Sequence, residues 1–235
     1  ASLALALLAS PALLINHASA GTTWNGNAAA TSGNWEAAAN WEGTVPTFDA
    51  TTDLIFRNFS GQNLTTSVLQ TAKTVRSLTF NSNVNSGFDI KFTTTNNNTA
   101  IDLTMGNATN AAAITVASDI TGDILIGLGS GGISGNLILA NNLTVTQNST
   151  SSMLTINAPI IESGGSYGLT KNGSGTLTIN RTNTYTGTTT INAGTLEVGS
   201  TGRLGGGSYA AAISNNATFL YSGTNNQTLS GVISG

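Results

Sequence analysis

Residues 168–199 read GLTKNGSGTLTINRTNTYTGTTTINAGTLEVG, and they carry the clearest strand pattern in the chain. Apolar and polar residues alternate in three short runs, at Leu177 and Ile179, at Thr189 and Ile191, and at Leu196 and Val198. An alternation of period two places one set of side chains inside and the other in solvent, as in a half-buried β-strand. Asn, Gly and Thr separate the runs, so the stretch predicts short strands joined by turns.

The strand pattern recurs at regular intervals along the chain. Leu154 and Leu177 each begin a Leu-Thr-Ile-Asn phrase, and the interval between them is about twice the interval from Ile179 to Ile191. A unit that recurs at a fixed period and at half that period indicates coils stacked along an axis. We therefore predict an all-β fold, an elongated β-solenoid with coils of about 20–25 residues.

The order of short motifs in this stretch also resembles a known family. Gly-Thr-Leu at 175–177, Tyr-Thr-Gly at 185–187 and Ala-Gly-Thr-Leu at 193–196 resemble the autotransporter-associated β-strand repeat, also called the passenger-associated transport repeat. The resemblance implies a right-handed parallel β-helix, export to the bacterial surface through translocation machinery, and a structural role for this segment. One complete copy is present at 168–199. Residues 229–235 resemble the beginning of a second copy, so we expect a repeat region truncated at its C-terminus.

Composition limits the classes of function. Charged residues make up 7% of the chain, and the net charge is −3. Ordinary globular proteins contain roughly 25% charged residues. This low charge provides no basic surface for nucleic acid, so we expect no nucleic-acid partner. The chain has no Cys, so neither disulfide bonds nor thiolate chemistry is available.

Residues 1–20 have the pattern of a secretory signal peptide. Their apolar core is too short to span a bilayer, and Ala18-Ser19-Ala20 matches a small-residue cleavage site. The alternative is a buried amphipathic helix of a globular fold. The signal peptide predicts an extracellular or cell-surface protein with no membrane-spanning segment in its mature chain. It also contains His17, the only His in the sequence.

Residues 21–60 differ from the rest because they contain all three Trp, namely Trp24, Trp35 and Trp41. Exposed indole rings could form a stacking platform for sugars, which makes the three Trp candidate ligand-binding residues. The alternative is an N-terminal cap that shields the open edge of the first coil, as solenoids require. We favour the cap.

Residues 61–235 are predicted to form seven or eight coils of β-helix. Gly, Asn and Ser clusters divide this region into short apolar runs. Outside the repeat, strands are expected at 75–80, 88–93, 100–105, 113–116, 124–126, 137–139, 143–146, 153–156 and 218–221.

The sequence offers few reactive groups. Without Cys or a mature His, the chain lacks the usual ligands of zinc and the base of a Ser-His-Asp triad. Asp119 and Asp123 could bind Ca²⁺ or transfer protons, but two Asp beside a turn are usually solvated. The same surface interpretation applies to Glu162, Glu197 and the scattered basic residues, including the neighbours Lys73 and Arg76. We therefore predict no catalytic residue, metal or cofactor.

These observations favour a non-enzymatic passenger or stalk segment of an exported bacterial protein. The alternative is an adhesin or polysaccharide-binding module, which would bind glycans or other cell-surface components through the Trp-rich region or an outer Thr/Asn face. A carbohydrate-active β-helix enzyme is a third hypothesis, and it would require acidic residues from neighbouring coils to converge in one groove.

Overall fold

The structure is a computed structural model that describes residues 21–24, 33–57, 66–81, 87–93, 99–127 and 134–235. The predicted signal peptide at 1–20, with His17, lies outside these residues. Strands dominate the described part of the chain, and two single 3-10 turns, Ala38–Asn40 and Gly205–Gly207, are the helical elements described.

The strands, in chain order, are β1 Thr22–Trp24, β2 Asp53–Phe56, β3 Thr66–Val68, β4 Lys73–Val75, β5 Ser77–Phe80, β6 Phe88–Lys91, β7 Leu103–Met105, β8 Ala112–Val116, β9 Ile124–Gly127, β10 Leu137–Leu139, β11 Leu143–Gln147, β12 Met153–Asn157, β13 Ile160–Glu162, β14 Leu169–Asn172, β15 Thr176–Ile179, β16 Thr189–Ile191, β17 Thr195–Val198, β18 Ser208–Tyr209, β19 Ile213–Asn215, β20 Thr218–Tyr221, β21 Thr228–Leu229 and β22 Ile233–Ser234.

These strands form parallel sheets that run along one axis. The first sheet has nine strands in the order β1-β2-β5-β8-β11-β14-β16-β19-β22, and a second has seven strands in the order β20-β17-β15-β12-β9-β6-β3. A third side consists of the four-stranded sheet β13-β10-β7-β4 and, later in the chain, the pair β18-β21. From β5 to β13, each coil passes through the nine-stranded, seven-stranded and four-stranded sheets in turn. This arrangement confirms the predicted parallel β-helix.

Strand register explains the two periods in the sequence. Leu154 pairs directly with Leu177, so the interval between the two Leu-Thr-Ile-Asn phrases is one full coil. Ile179 lies in the seven-stranded sheet and pairs with Val198, whereas Ile191 lies in the nine-stranded sheet and pairs with Lys171. The shorter interval, from Ile179 to Ile191, therefore carries the chain from one sheet to the next.

The inward side chains of all three sides pack into one continuous core. Leu154, Leu177 and Leu196 follow one another in register along the seven-stranded sheet, and each is 0% exposed. Alternate residues of each strand contribute to this column, so very short strands suffice to build a core.

Coil length varies more than the sequence predicts. Leu78 pairs with Ile114, whereas Lys171 pairs with Ile191, so the earlier coil is almost twice as long as the later one. Seven of the nine strands in the first sheet follow residue 61, which agrees with the expected number of coils. The sheet also continues through β2 and β1, so the predicted cap region supplies strands of its own. At about 4.8 Å between strands, the nine-stranded sheet extends about 38 Å along the axis.

Candidate functional site

The three Trp form the core of the N-terminal end. Trp24, Trp35 and Trp41 are 0%, 0% and 3% exposed. The rings of Trp24 and Trp41 pack edge to face with their centroids 4.9 Å apart, and Trp35 stacks on Phe48 at 5.6 Å. Trp41 Nε1 donates a hydrogen bond to the carbonyl oxygen of Trp35 over 2.8 Å.

This packing corrects the expectation of a sugar-stacking platform. Because the indole faces are buried against aromatic neighbours, none is open to a pyranose ring. The buried rings suit the alternative interpretation of this region as an N-terminal cap, which stays a prediction. We assign these residues no ligand-binding role.

Two ion pairs join the N-terminal region to the first coil, and a third lies within the N-terminal region. Lys73 Nζ lies 2.7 Å from Glu36 Oε1 and also lies over the ring of Phe48. Arg57 contacts Glu42 at 2.7 Å, and Arg76 makes a two-pronged contact with Asp53. Burial raises the pKa of Asp53, but hydrogen bonds from Arg76 and Ser77 lower it more strongly, so the net shift is downward. Lys73 and Arg76 therefore have specific partners, which corrects the expectation of a merely solvated face.

Within the described ranges, the acidic residues do not assemble into a metal-binding group. Asp119 and Asp123 are exposed, and Asp123 Oδ1 accepts a hydrogen bond from the backbone N–H of Met153 over 2.8 Å. Among the described residues, no three Asp, Glu, His or Cys side chains come close enough to hold a metal ion.

Glu162 has a larger structural role than the surface interpretation predicts. Its carboxylate accepts hydrogen bonds from Tyr167 N at 2.9 Å, Thr186 N at 3.1 Å and Thr186 Oγ1 at 2.7 Å. Burial raises the pKa of Glu162, and these hydrogen bonds outweigh it, so the pKa lies below its ordinary value. The ionised carboxylate therefore connects two successive coils at a corner.

An outer face of the nine-stranded sheet carries a row of hydroxyl groups. Thr144 pairs with Thr170, Thr170 with Thr190, and Thr190 with Ser214. These residues are half-buried and point away from the core, because their strand neighbours Leu169, Lys171 and Ile191 point inward. At the ends of two of these strands, Asn192 Nδ2 donates a hydrogen bond to Asn172 Oδ1 of the preceding coil over 2.8 Å.

A shallow groove of about 430 Å³ adjoins this row. Its lining consists of hydroxyl, amide and glycine groups and contains no charged side chain: Asn142, Ser166, Gly168, Thr170, Gly187, Thr188 and Thr190. Its chemistry suits hydrogen bonding to an uncharged polar ligand. The sequence predicts the Thr/Asn face but not the groove, because the groove depends on small residues of successive coils that lie side by side.

Lys171 lies where the sequence did not predict it. It is one of the scattered basic residues expected at the surface, but the structure places it in the core at 0% exposure. The signal for this placement was its position two residues after Leu169, on the inward side of an alternating strand.

Comparisons with known proteins agree with this architecture. The Passenger-associated-transport-repeat family matches residues 169–198, which confirms the resemblance inferred from the motifs. The chain is 30% identical over 135 residues to the Adhesin BmaC autotransporter of Brucella suis biovar 1 (strain 1330). That alignment covers 54% of this chain and 4% of the relative's length. No solved structure matches the chain. None of the helices in the described residues is long and apolar enough to cross a membrane.

Proposed function

Because residues 169–198 are a passenger-associated transport repeat within a parallel β-helix, we propose that this chain is a structural segment of an exported bacterial passenger. In this proposal the segment is non-enzymatic and acts at the cell surface or outside the cell. It forms part of a stalk and helps to complete secretion by folding after passage through the outer membrane.

The continuous stacking of the repeat coil supports this proposal. Strand β14 pairs with β11 on one side and β16 on the other, and β15 pairs with β12 and β17 in the same way. The repeat therefore has no free edge of its own and joins the coils before and after it. A structure of this kind transmits load along its axis through parallel ladders of hydrogen bonds.

Stepwise stacking also supplies a mechanism for assisting secretion. Each folded coil presents a strand edge that templates the next coil, so folding proceeds as the chain emerges. A coil that has folded outside the cell resists sliding back through a pore, because its inward side chains would have to leave the core. The low charge and the absence of Cys suit passage of an unfolded chain.

A surface-display assay tests the proposal. The chain would be fused to an autotransporter carrier in a bacterial host, with Leu177→Asp as the variant that disrupts the core of the repeat. Leu177 is 0% exposed, so a carboxylate there should prevent the coil from stacking. We expect less surface-exposed chain, measured by flow cytometry, and faster cleavage of the displayed chain by added protease.

Thr190→Asp is the matched control, because Thr190 belongs to the same repeat but points outward. Its display should match that of the unmodified chain. If Leu177→Asp and Thr190→Asp were displayed equally well, folding of the repeat would not contribute to secretion and the proposal would fail.

Adhesion through the outer Thr face is a second candidate function. It is supported by the uncharged groove beside Thr170 and Thr190 and by the partial similarity to an adhesin. In this version, neutral glycans on a host or neighbouring cell would be the partners.

Glycan-array binding of the unmodified chain would distinguish adhesion from a purely structural role. The double variant Thr170→Val and Thr190→Val should lose binding, because it removes two hydroxyls from the groove while keeping the β-branched shape. Thr115→Val, on the same face but outside the groove, is the control. Binding that survives the double variant would exclude this groove as the adhesive site.

A further inference from the structure

Lys171 occupies an inward position that aliphatic residues fill in the adjacent coils. Its register partners are Val145 in β11 and Ile191 in β16, and all three side chains are 0% exposed. A lysine at such a position leaves water for an apolar column, which is costly unless its ammonium group finds compensating partners.

The partners are three backbone carbonyl oxygens. Lys171 Nζ donates to Asn172 O at 2.8 Å, to Gly173 O at 2.7 Å and to Ala193 O at 3.1 Å. None of the ion pairs within the described ranges involves Lys171. Three acceptors match the three N–H donors of an ammonium group, so the charge is compensated by peptide dipoles.

Two glycines in a left-handed conformation, Gly173 and Gly194, allow the carbonyl oxygens of Gly173 and Ala193 to lie near each other. Gly173 has φ of +79° and Gly194 has φ of +67°, values that favour glycine. A Cβ on Gly194 would lie 2.6 Å from the carbonyl oxygen of Gly173, so a side chain there would displace one of the three acceptors. The three carbonyl oxygens that surround Lys171 Nζ therefore come from the turns of two successive coils.

We propose that the carbonyl oxygens of Asn172, Gly173 and Ala193 form an internal cation-binding site, which Lys171 fills and which accepts a primary alkylammonium ion when that side chain is shortened. The ligand class follows from the donor count and from the apolar path that the lysine methylenes occupy. Burial lowers the pKa of Lys171 to about 8, so the group is still largely protonated at neutral pH. The site goes beyond the proposed surface role and does not depend on it.

Chemical rescue tests the site directly. Lys171→Ala removes three methylenes and the ammonium group, which correspond to n-propylammonium. We expect the variant in the full chain to have a lower Tm than the unmodified protein. Addition of n-propylammonium chloride at pH 7 should raise the Tm by about 3–5 °C at ten times its Kd, and the Tm should then continue to rise with the logarithm of the concentration.

Two controls separate cation binding from general effects. n-Propanol has a similar shape without charge and should give no such rise in Tm. Lys171→Met fills the apolar path without supplying a cation, so n-propylammonium should not stabilise it. Equal stabilisation of the Met variant, equal rescue by n-propanol, or no rescue of the Ala variant would overturn the proposal.

The unmodified protein provides a measurement in case Lys171→Ala does not fold. A ¹H–¹⁵N spectrum of protein labelled at lysine Nζ should show one ammonium resonance at pH 7 that exchanges slowly with water, and Lys171→Arg should remove it. Absence of such a resonance would mean that the ammonium is not held by the three carbonyls, and the site would be rejected.

Discussion

At the scale of single residues, polar side chains inside the repeat bond with one another across coils. Tyr185 OH lies 2.8 Å from Thr189 Oγ1, which lies 2.8 Å from Tyr209 OH, and Tyr209 donates in turn to the carbonyl oxygen of Gly187. Burial raises the pKa of both tyrosines, so their hydroxyls stay protonated and remain donors. The Tyr of the Tyr-Thr-Gly motif therefore begins a hydrogen-bonded chain through the core.

The inward position of Ile179 predicts a large effect of charge. Ile179 is 0% exposed, so Ile179→Asp would bury a carboxylate with no partner. We expect a loss of about 4 kcal/mol in the free energy of unfolding. Denaturant titration followed by far-UV circular dichroism would measure it. The outward variant Thr190→Asp should stay within about 0.5 kcal/mol, and similar losses for both variants would contradict the inward assignment.

The buried ammonium of Lys171 predicts an alkaline increase in stability. Its pKa is lowered from 10.5 in the unfolded chain to about 8 in the folded protein. Between these values the unfolded state binds more protons, so the free energy of unfolding rises with pH, by up to about 1.4 kcal/mol per pH unit.

The quantity to measure is the difference in unfolding free energy between the unmodified protein and Lys171→Met. Tyr185 and Tyr209 have raised pKa values in the folded protein, so they lower the free energy of unfolding at a pH where tyrosines of the unfolded chain ionise. This effect is the same in both proteins, so it cancels in the difference. The difference should increase from about pH 8 to about pH 10.5 and stay constant below about pH 7. A difference that does not change with pH would show that folding does not lower the pKa of Lys171.

At the scale of elements, coil-to-coil contact explains why glycine ends the Tyr-Thr-Gly motif. Gly187 lies against Tyr167 and Gly168 of the preceding coil, and its N–H donates to Tyr167 O over 3.1 Å. A Cβ at Gly187 would lie 2.3 Å from the carbonyl carbon of Tyr167. The motif residue is small because two backbones meet there.

Gly187→Ala should therefore separate the two coils. The clash is with backbone atoms, which cannot rotate away, so we expect a loss of about 1–3 kcal/mol in the free energy of unfolding. Gly87→Ala is the control, because its added Cβ would meet only Asp123 O, at 3.4 Å. Thermal unfolding would measure both. An equally small effect of both changes would mean that the coils do not approach this closely.

At the scale of the whole molecule, stability should be shared between neighbouring coils. Deletion of residues 171–190 removes one coil, which begins at Lys171 and ends just before its pairing partner Ile191, and it brings Ile191 into register with Val145. Since solenoid coils contact only their neighbours, the shortened chain should still fold. Its denaturant m-value should fall by roughly a twelfth, because the deletion removes 20 of the 235 residues and the m-value scales with the surface exposed on unfolding.

Deletion of residues 171–180 is the contrasting variant, because it removes half a coil. The seven-stranded sheet would then lose β15, and the following strands would face the wrong neighbours. We expect a weaker β signal by circular dichroism and a less cooperative unfolding transition. If both deletions behaved alike, coils would not be the units of this fold.

Local patterns in the sequence determined the fold class and most of the strands. The alternation at Leu177 and Ile179 and the intervals from Leu154 to Leu177 and from Ile179 to Ile191 depend only on neighbouring residues and a regular period. Side chains alternate along a strand and coils repeat along a solenoid, so the parallel coils could be inferred from the sequence. Strand β14 was the exception within the repeat, because Lys171 at an inward position breaks its apolar alternation.

Which side chains meet across coils could be seen only in the three-dimensional structure. Trp35 packs with Phe48 and Phe56, Lys73 pairs with Glu36, and Arg76 pairs with Asp53 of the preceding coil. These contacts depend on coil lengths, which vary along the chain and have no local signal in the sequence. Burial of the Trp rings, the groove beside Thr170 and the carbonyl site around Lys171 all follow from this register. The physical reason is that a side chain's role depends on its neighbours one coil away.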